Sequence, residues 1–293
     1  MNFAARQELM SFEEMLEIAT LFCEMGVNKI RITGGEPFVR SGIIPFLRKL
    51  SQVPGLEEIT MTSNGTLSTR HVQALKEMGI RKINISLDSL DRDRFFFITR
   101  RDSFEEVYAG IFDLLQAGFE IKLNCVVAEN KNIQDIIPFI ELTKEHPLTV
   151  RFLEEMPFNG SNTFDLPKWN HREIYRHIHE QYPNIEKLQS EASSTSVNYR
   201  IPGYAGSFGI IPSFSRTFCG TCNRVRLAAT GELRTCLYGA PATNLRDFLR
   251  HGASLDELQQ EILDAVAQRA KDGFEAEASQ PHSIHESMSV LGG

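Results

Sequence analysis

Three times in the first half of the chain, an amphipathic helical pattern stops at a glycine and a short strand pattern follows within a few residues. The glycines are Gly26, Gly79 and Gly118. Glycine suits a helix end because it enters the left-handed conformation without a Cβ penalty. The first helix opens with a capping box, Ser11 and Glu14, and places Met15, Ile18, Ala19 and Phe22 on one face. Ser103 and Glu106 read as a second capping box, ahead of Val107, Ile111, Leu114 and Leu115. Ile133, Ile136, Ile137 and Ile140 make a further helical stripe. Strand patterns fall at residues 29–33, 59–62, 82–86, 121–127 and 150–153. This alternation builds a parallel α/β sheet.

Several of these strands alternate apolar and polar residues, where a parallel strand buried on both faces would be apolar throughout. Ile30 and Ile32 alternate with Lys29, Arg31 and Thr33; Ile59 and Met61 with Thr60 and Thr62. Ile83 and Ile85 alternate with Asn84 and Ser86; Leu123 and Cys125 with Lys122 and Asn124. If the apolar set faces the helices, the polar set lines a shared lumen able to hold a ligand. A barrel is therefore expected over an ordinary doubly wound sheet.

After Met156-Pro157 the rhythm stops, and a segment rich in Ser, Asn, Pro and Gly runs to about Ser215. The expected division is 1–156 and 157–293. The second region should hold a helix at 171–181, a hairpin at 199–211, and helices at 245–251 and 255–271. No stretch approaches the roughly 20 apolar residues of a membrane helix, and the first residues contain no apolar signal region. The expected compartment is cytoplasmic. A net charge of −7 disfavours general nucleic-acid binding, so an anionic ligand would need a local group of basic residues.

Five cysteines occur, at Cys23, Cys125, Cys219, Cys222 and Cys236. Cys23 lies in a helical pattern and Cys125 in a strand pattern, where a thiol acts as a small hydrophobe. Cys219-Gly220-Thr221-Cys222 followed by Cys236 has metal-ligand spacing. Two metal readings stay open on spacing alone. Zinc would call on a fourth ligand such as His251 or His282, whereas a four-iron cluster on three thiolates would leave one iron open. Arg224 and Arg226 follow at period 2, which would aim both guanidiniums to one side of a strand, a geometry suited to phosphate.

Taken together, certain residues resemble one family. They are Ile30-Arg31-Ile32-Thr33-Gly34-Gly35-Glu36-Pro37, Thr62-Ser63-Asn64-Gly65, Ser86-Leu87-Asp88-Ser89, Arg151-Phe152-Leu153-Glu154-Glu155-Met156-Pro157, the cysteine segment and the terminal Gly292-Gly293. The chain is similar to the GTP 3′,8-cyclase family of radical S-adenosylmethionine (SAM) enzymes from about Ser11 to Gly293. Gly-Gly-Glu-Pro alone would indicate radical SAM enzymes in general; the cysteine segment and the double-glycine tail narrow it.

The resemblance implies an α/β fold, an incomplete TIM-type barrel missing its first strand, with a C-terminal cluster-binding region. It implies conversion of GTP to (8S)-3′,8-cyclo-7,8-dihydroguanosine 5′-triphosphate, the first step of molybdenum cofactor synthesis. Gly34, Gly35, Glu36, Pro37, Ser86 and Met156 would touch SAM. Arg31, Thr62, Lys122, Arg224 and Arg226 would bind GTP. Cys219, Cys222 and Cys236 would hold a [4Fe-4S] cluster whose open iron meets the purine, and Gly292 and Gly293 would reach into the site. Partners implied are an electron donor and the next enzyme of the pathway, with a homodimer as one arrangement the sequence allows.

Family members also carry a Cys-x3-Cys-x2-Cys loop ahead of the first helix and a GTP-binding arginine further upstream. Residues 1–293 carry neither. The expectation is thus a segment of a longer enzyme, a second N-terminal [4Fe-4S] cluster belonging only to the full-length form. On that expectation the segment by itself does not cleave SAM. The alternative is a non-catalytic protein that binds GTP or a cluster.

Overall fold

The computed structural model describes residues 5–156 and 168–279. In chain order, the early elements are α1 (Phe12–Glu24), β1 (Lys29–Ile32), α2 (Ile43–Leu50), β2 (Glu58–Ser63), α3 (Val72–Glu77) and β3 (Lys82–Ser86). Then come α4 (Arg92–Thr99), α5 (Phe104–Gln116), β4 (Glu120–Val127), α6 (Ile136–Glu145), β5 (Thr149–Glu154) and α7 (His171–Gln181). Short strands β6 (Glu186–Lys187), β7 (Val197–Arg200), β8 (Ser207–Ile211), β9 (Arg226–Leu227), β10 (Glu232–Arg234) and β11 (Thr243–Asn244) follow. The last elements are α8 (Leu245–Arg250), α9 (Leu255–Ala267) and α10 (Gly273–Ala278). Among the described residues, no helix is long and apolar enough to cross a membrane.

The chain forms two compact units, one from residues 5–59 with 223–279 and one from 60–156 with 168–222. In the second unit the strand order is β2-β3-β4-β5-β8-β7-β6. Pairing is parallel from β2 through β5 to β8, and antiparallel for β7 and β6. One face carries Met61, Ile83, Ile85, Ile121, Leu123, Cys125, Val150 and Phe152, all of them buried. α5 packs on β4, and α6 and α7 pack on β5 and β8. They bring Val107, Ile111, Leu114, Phe139, Ile140, Ile174 and Ile178 against the sheet side of this unit, and each large side chain removed from water contributes roughly 1.5–3 kcal/mol.

The opposite face is polar, and the register assembles it into rows. Thr62, Asn84, Lys122, Thr149 and Ser207 are successive partners across five strands. Ser86, Asn124, Arg151, Gly209 and Asn198 form the next row. The period-2 alternation seen in sequence becomes a sheet with one dry and one polar side, and it extends to β5 and β8, which the sequence reading did not assign to it.

The first unit joins the two ends of the described chain in one core. Met10, Ile18 and Leu21 meet Leu233, Leu245, Leu258 and Ile262 there. Arg250 donates to Gln7 O at 2.7 Å, Leu9 O at 3.0 Å and Glu14 Oε1 at 2.6 Å, fixing the approach to α1. β1 lies beside the start of β2, since the Asn28 carbonyl accepts the Glu57 and Glu58 amides.

The Ser11–Glu14 capping box is formed in full, and the three helix-stopping glycines take φ of 99°, 73° and 83°. The second box is not formed. Ser103 has φ −129° and ψ 20°, not the extended cap conformation, so its Oγ makes no cap bond and is buried without a partner. α9 stops at Ala267, short of residue 271, because Asp272 caps a separate helix, α10. Arg224 precedes β9, which starts only at Arg226. Val225 and Leu227 nonetheless pack against the core of the first unit, so the period-2 alternation holds through this segment.

Candidate functional site

Gly34 and Gly35 follow directly on β1. Gly34 has φ +140°, which requires glycine. Gly35 has no such backbone requirement, and a Cβ at either position would meet nothing within 4 Å among the described residues. Protein packing therefore leaves open space along this stretch of backbone. Glu36 closes the turn with its carboxylate, which accepts the Phe38 amide at 3.2 Å, while Pro37 starts a single 3-10 turn.

In the same unit Arg31 keeps solvent-accessible surface, yet enough protein surrounds its guanidinium to lower its pKa by desolvation. The like charge of Arg224 acts in the same sense and Glu58 in the opposite one. Arg31 and Arg224 are thus electrostatically coupled, a pairing that sequence distance conceals. An arrangement of two repelling cations is one that an anion relieves.

In the second unit Thr62 is buried, and its Oγ1 accepts from Asn84 Nδ2 at 3.4 Å. Arg151 Nη1 reaches Asn84 Oδ1 at 3.5 Å. Lys122 Nζ lies 2.8 Å from Glu120 Oε1, so a bound anion would share this ammonium with a carboxylate. Among the described residues, Asn124 Oδ1 is buried with no hydrogen-bond partner. Ser86 is exposed at the end of β3, and Met156 is half-buried two residues past β5. Asn84, Asn124 and Arg151 belong to the polar rows without having been assigned a role from sequence; the parity of the strand register is the signal that finds them.

Of the cysteines, Cys219 and Cys222 lie in the second unit on a 3-10 turn, with Cys222 N donating to Cys219 O at 3.2 Å. Cys236 follows β10 in the first unit, where the buried Arg234 donates to Gly239 O at 3.0 Å and shapes the loop. All three are half-buried. Among the described residues, no group of three or more His, Cys, Asp and Glu side chains is gathered as a metal site. Cys23 and Cys125 are buried, and burial raises both thiol pKa values, helped at Cys23 by Glu24 and at Cys125 by Asp88 and Asp135. They remain thiols. Gly292 and Gly293 lie outside the described residues.

Residues 3–143 match the Radical SAM superfamily, and residues 148–275 match Molybdenum Cofactor Synthesis C. GTP 3′,8-cyclase of Peptoclostridium acidaminophilum is 38% identical over 92% of this chain and 82% of its own length. The mitochondrial GTP 3′,8-cyclase of Arabidopsis thaliana is 39% identical over 91% of this chain and 68% of that protein. Molybdenum cofactor biosynthesis protein 1 of Bos taurus is 41% identical over 91% of this chain but only 42% of its own length. The chain thus spans less than half of the animal relatives it matches. Among solved structures, Streptococcus suis SuiB shares the fold at a TM-score of 0.61 and 13% identity, over 88% of this chain and 59% of that one. By its two matched regions and its relatives along nearly its whole length, the chain belongs to the GTP 3′,8-cyclase family of radical SAM proteins.

Proposed function

We propose that the chain acts in molybdenum cofactor synthesis as the radical SAM part of a GTP 3′,8-cyclase. The observation that carries this reading is the polar face of the second unit, where Thr62 and Lys122 share one row and the next row includes Asn124 and Arg151. A sheet kept apolar on one side and polar on the other side supports a ligand site of nucleotide chemistry.

Three features fit the groups that the family implies. The open space beside Gly34 and Gly35 suits close approach of SAM to the backbone. Asn124 Oδ1 offers an unused buried acceptor, which a bound donor would satisfy. The donor set of Cys219, Cys222 and Cys236 is all sulfur and partly accessible, the chemistry of a [4Fe-4S] cluster with one iron left for a ligand, although among the described residues the three are not gathered as a metal site. In a full-length form, a second, N-terminal cluster together with bound SAM would supply the carbon-centred radical that takes hydrogen from the ribose of GTP.

On this reading Gly34, Gly35, Glu36 and Pro37 hold the methionine part of SAM, with Ser86 and the Met156 backbone alongside. Arg31, Arg224 and Arg226 neutralise the triphosphate through charge-assisted hydrogen bonds. Thr62 and Lys122 also bind GTP, and Cys219, Cys222 and Cys236 would hold the cluster that positions the purine, as a radical that must meet one carbon requires. Residues 1–156 form the radical SAM part with some of the GTP contacts, and 157–293 carry the cluster and the remaining GTP contacts. Turnover also calls for an electron donor, a reducing compartment such as the cytoplasm, and the next enzyme of the pathway. Residues 1–293 contain no Cys-x3-Cys-x2-Cys, so no residue here is assigned to the radical-generating cluster.

Anaerobic binding of GTP and ATP to residues 1–293, followed by SAM turnover in a form carrying a Cys-x3-Cys-x2-Cys segment ahead of them, tests the proposal. GTP should bind in preference to ATP, and the extended form should release 5′-deoxyadenosine and a cyclised nucleotide. Bound GTP without turnover in the extended form would support the non-catalytic alternative. Absence of GTP binding would overturn the reading.

A further inference from the structure

Glu154 ends β5 with its side chain completely buried, and the mechanism above gives it no role. Buried carboxylates are rare, and this one is surrounded by donors. Its Oε1 accepts the His171 amide at 2.6 Å and the Ser215 hydroxyl at 2.7 Å, and lies 2.9 Å from His171 Nδ1. Its Oε2 accepts the Ser215 amide at 2.6 Å. His171 Nδ1 is also 3.1 Å from Ser215 Oγ, which closes the triangle. The carboxylate sits at the N-terminus of α7, where the helix dipole favours negative charge.

Ser215 starts the segment that carries the first two clustered cysteines. Arg216, next in line, is a buried non-glycine residue at φ +53°, a conformation that persists only where its surroundings hold it. Its amide donates to Pro212 O at 2.7 Å, and its carbonyl accepts the Cys219 amide at 3.2 Å. Hydrogen bonds thus anchor Ser215 to Glu154, and Arg216, its covalent neighbour, accepts the Cys219 amide at the start of the Cys219–Thr221 turn, where Cys219 O in turn accepts the Cys222 amide. In the other direction Met156 is two residues from Glu154.

We propose that Glu154, with His171 and Ser215, is a positioning group that fixes the backbone of the Cys219–Cys222 turn and ties it to the β5 end that carries Met156. This rests on the reading of Cys219 and Cys222 as cluster ligands. A ligand turn held in advance binds its metal centre more tightly, because less backbone freedom is lost on assembly. Partners that orient metal ligands typically alter metal affinity by about 10- to 100-fold when removed.

The test is anaerobic reconstitution of the parent chain and of Ser215→Ala, Ser215→Thr and Glu154→Gln. Iron, sulfide and the EPR spectrum of the reduced cluster are measured beside the thermal unfolding midpoint of each metal-free protein. Ser215→Ala removes one hydroxyl, so it keeps the test decisive if Glu154→Gln fails to fold. The expected result is cluster affinity lower by about 10-fold or more, with a shifted EPR spectrum, in Ser215→Ala at a nearly unchanged midpoint, and recovery in Ser215→Thr. Parent-like iron content and spectrum in Ser215→Ala would overturn the positioning role while leaving the cluster reading intact. A parent chain that takes up zinc or no iron would overturn the cluster reading, and the proposal with it.

Discussion

The charge of Arg224 adds to desolvation in lowering the Arg31 pKa, and an anion bound beside the two would offset both effects. Replacing Arg224 by alanine should weaken GTP binding by about 1.5–3 kcal/mol, the scale of a hydrogen bond to a charged group. The unfolding midpoint should stay level or rise, since a repulsion is removed; calorimetry with and without GTP measures both. A variant that lost stability and kept GTP affinity would count against the assignment. Asp88 presents the reverse case. Desolvation raises its pKa, although Val126 N donates to its Oδ1 at 2.8 Å and Lys131 pulls the other way. A carboxyl with a raised folded pKa holds its proton more tightly in the native state, so stability falls as pH rises from the ordinary aspartate value to the raised one. Asp88→Asn keeps an acceptor for Val126 and removes this cost. Its stability relative to the parent should therefore improve from pH 4 to pH 7 in urea titrations, and a relative loss over that range would refute the account.

At the scale of elements, the first unit depends on side chains that reach across its core. Ile262 of α9 is 1% exposed within the cluster that joins both ends of the described chain, and Ile262→Ala should cost about 2–5 kcal/mol in denaturant unfolding. The α1 cap offers a pH signature. Glu14 has a lowered pKa, chiefly through its hydrogen bond to Arg250, and then through the Ser11 amide and the charges of Arg250 and Arg246. Its stabilising effect is complete above the ordinary glutamate value and is lost as pH falls through the lowered one. Arg250→Ala should therefore reduce stability at pH 7 and make the parent and variant converge in acid. Constant separation of the two unfolding curves down to pH 3 would contradict this.

For the molecule as a whole, a net charge of −7 means that on the proposed reading GTP would be drawn to a few basic residues against a repelling background. GTP binding should therefore weaken steadily as salt rises, because screening acts on the local attraction. Titrations at low and high sodium chloride check this, and salt-independent affinity would place the nucleotide away from the arginines. The same scale governs the cysteines. Alanine at Cys219, Cys222 or Cys236 should abolish cluster loading, whereas alanine at Cys23 or Cys125 should leave iron and sulfide content unchanged, since those thiols are buried and protonated.

Much of the second unit was legible in the chain itself, because period 2 dictates which strand residues share a face and glycine at a helix end dictates where the next strand begins. Thr62, Lys122 and Ser86 stood out for that reason, as did the cysteine spacing. Two kinds of fact were not. The Ser11 and Ser103 signatures read alike, yet only Ser11 has the extended backbone that lets its hydroxyl reach the helix, and backbone conformation at a single cap is set by packing around it. Pairings between residues far apart in sequence, such as Glu154 with Ser215, Arg31 with Arg224 and Glu14 with Arg250, arise only when strands and helices are brought to a common core. Local patterns determine elements and faces; which charges meet across them is decided by the register and packing of the tertiary structure.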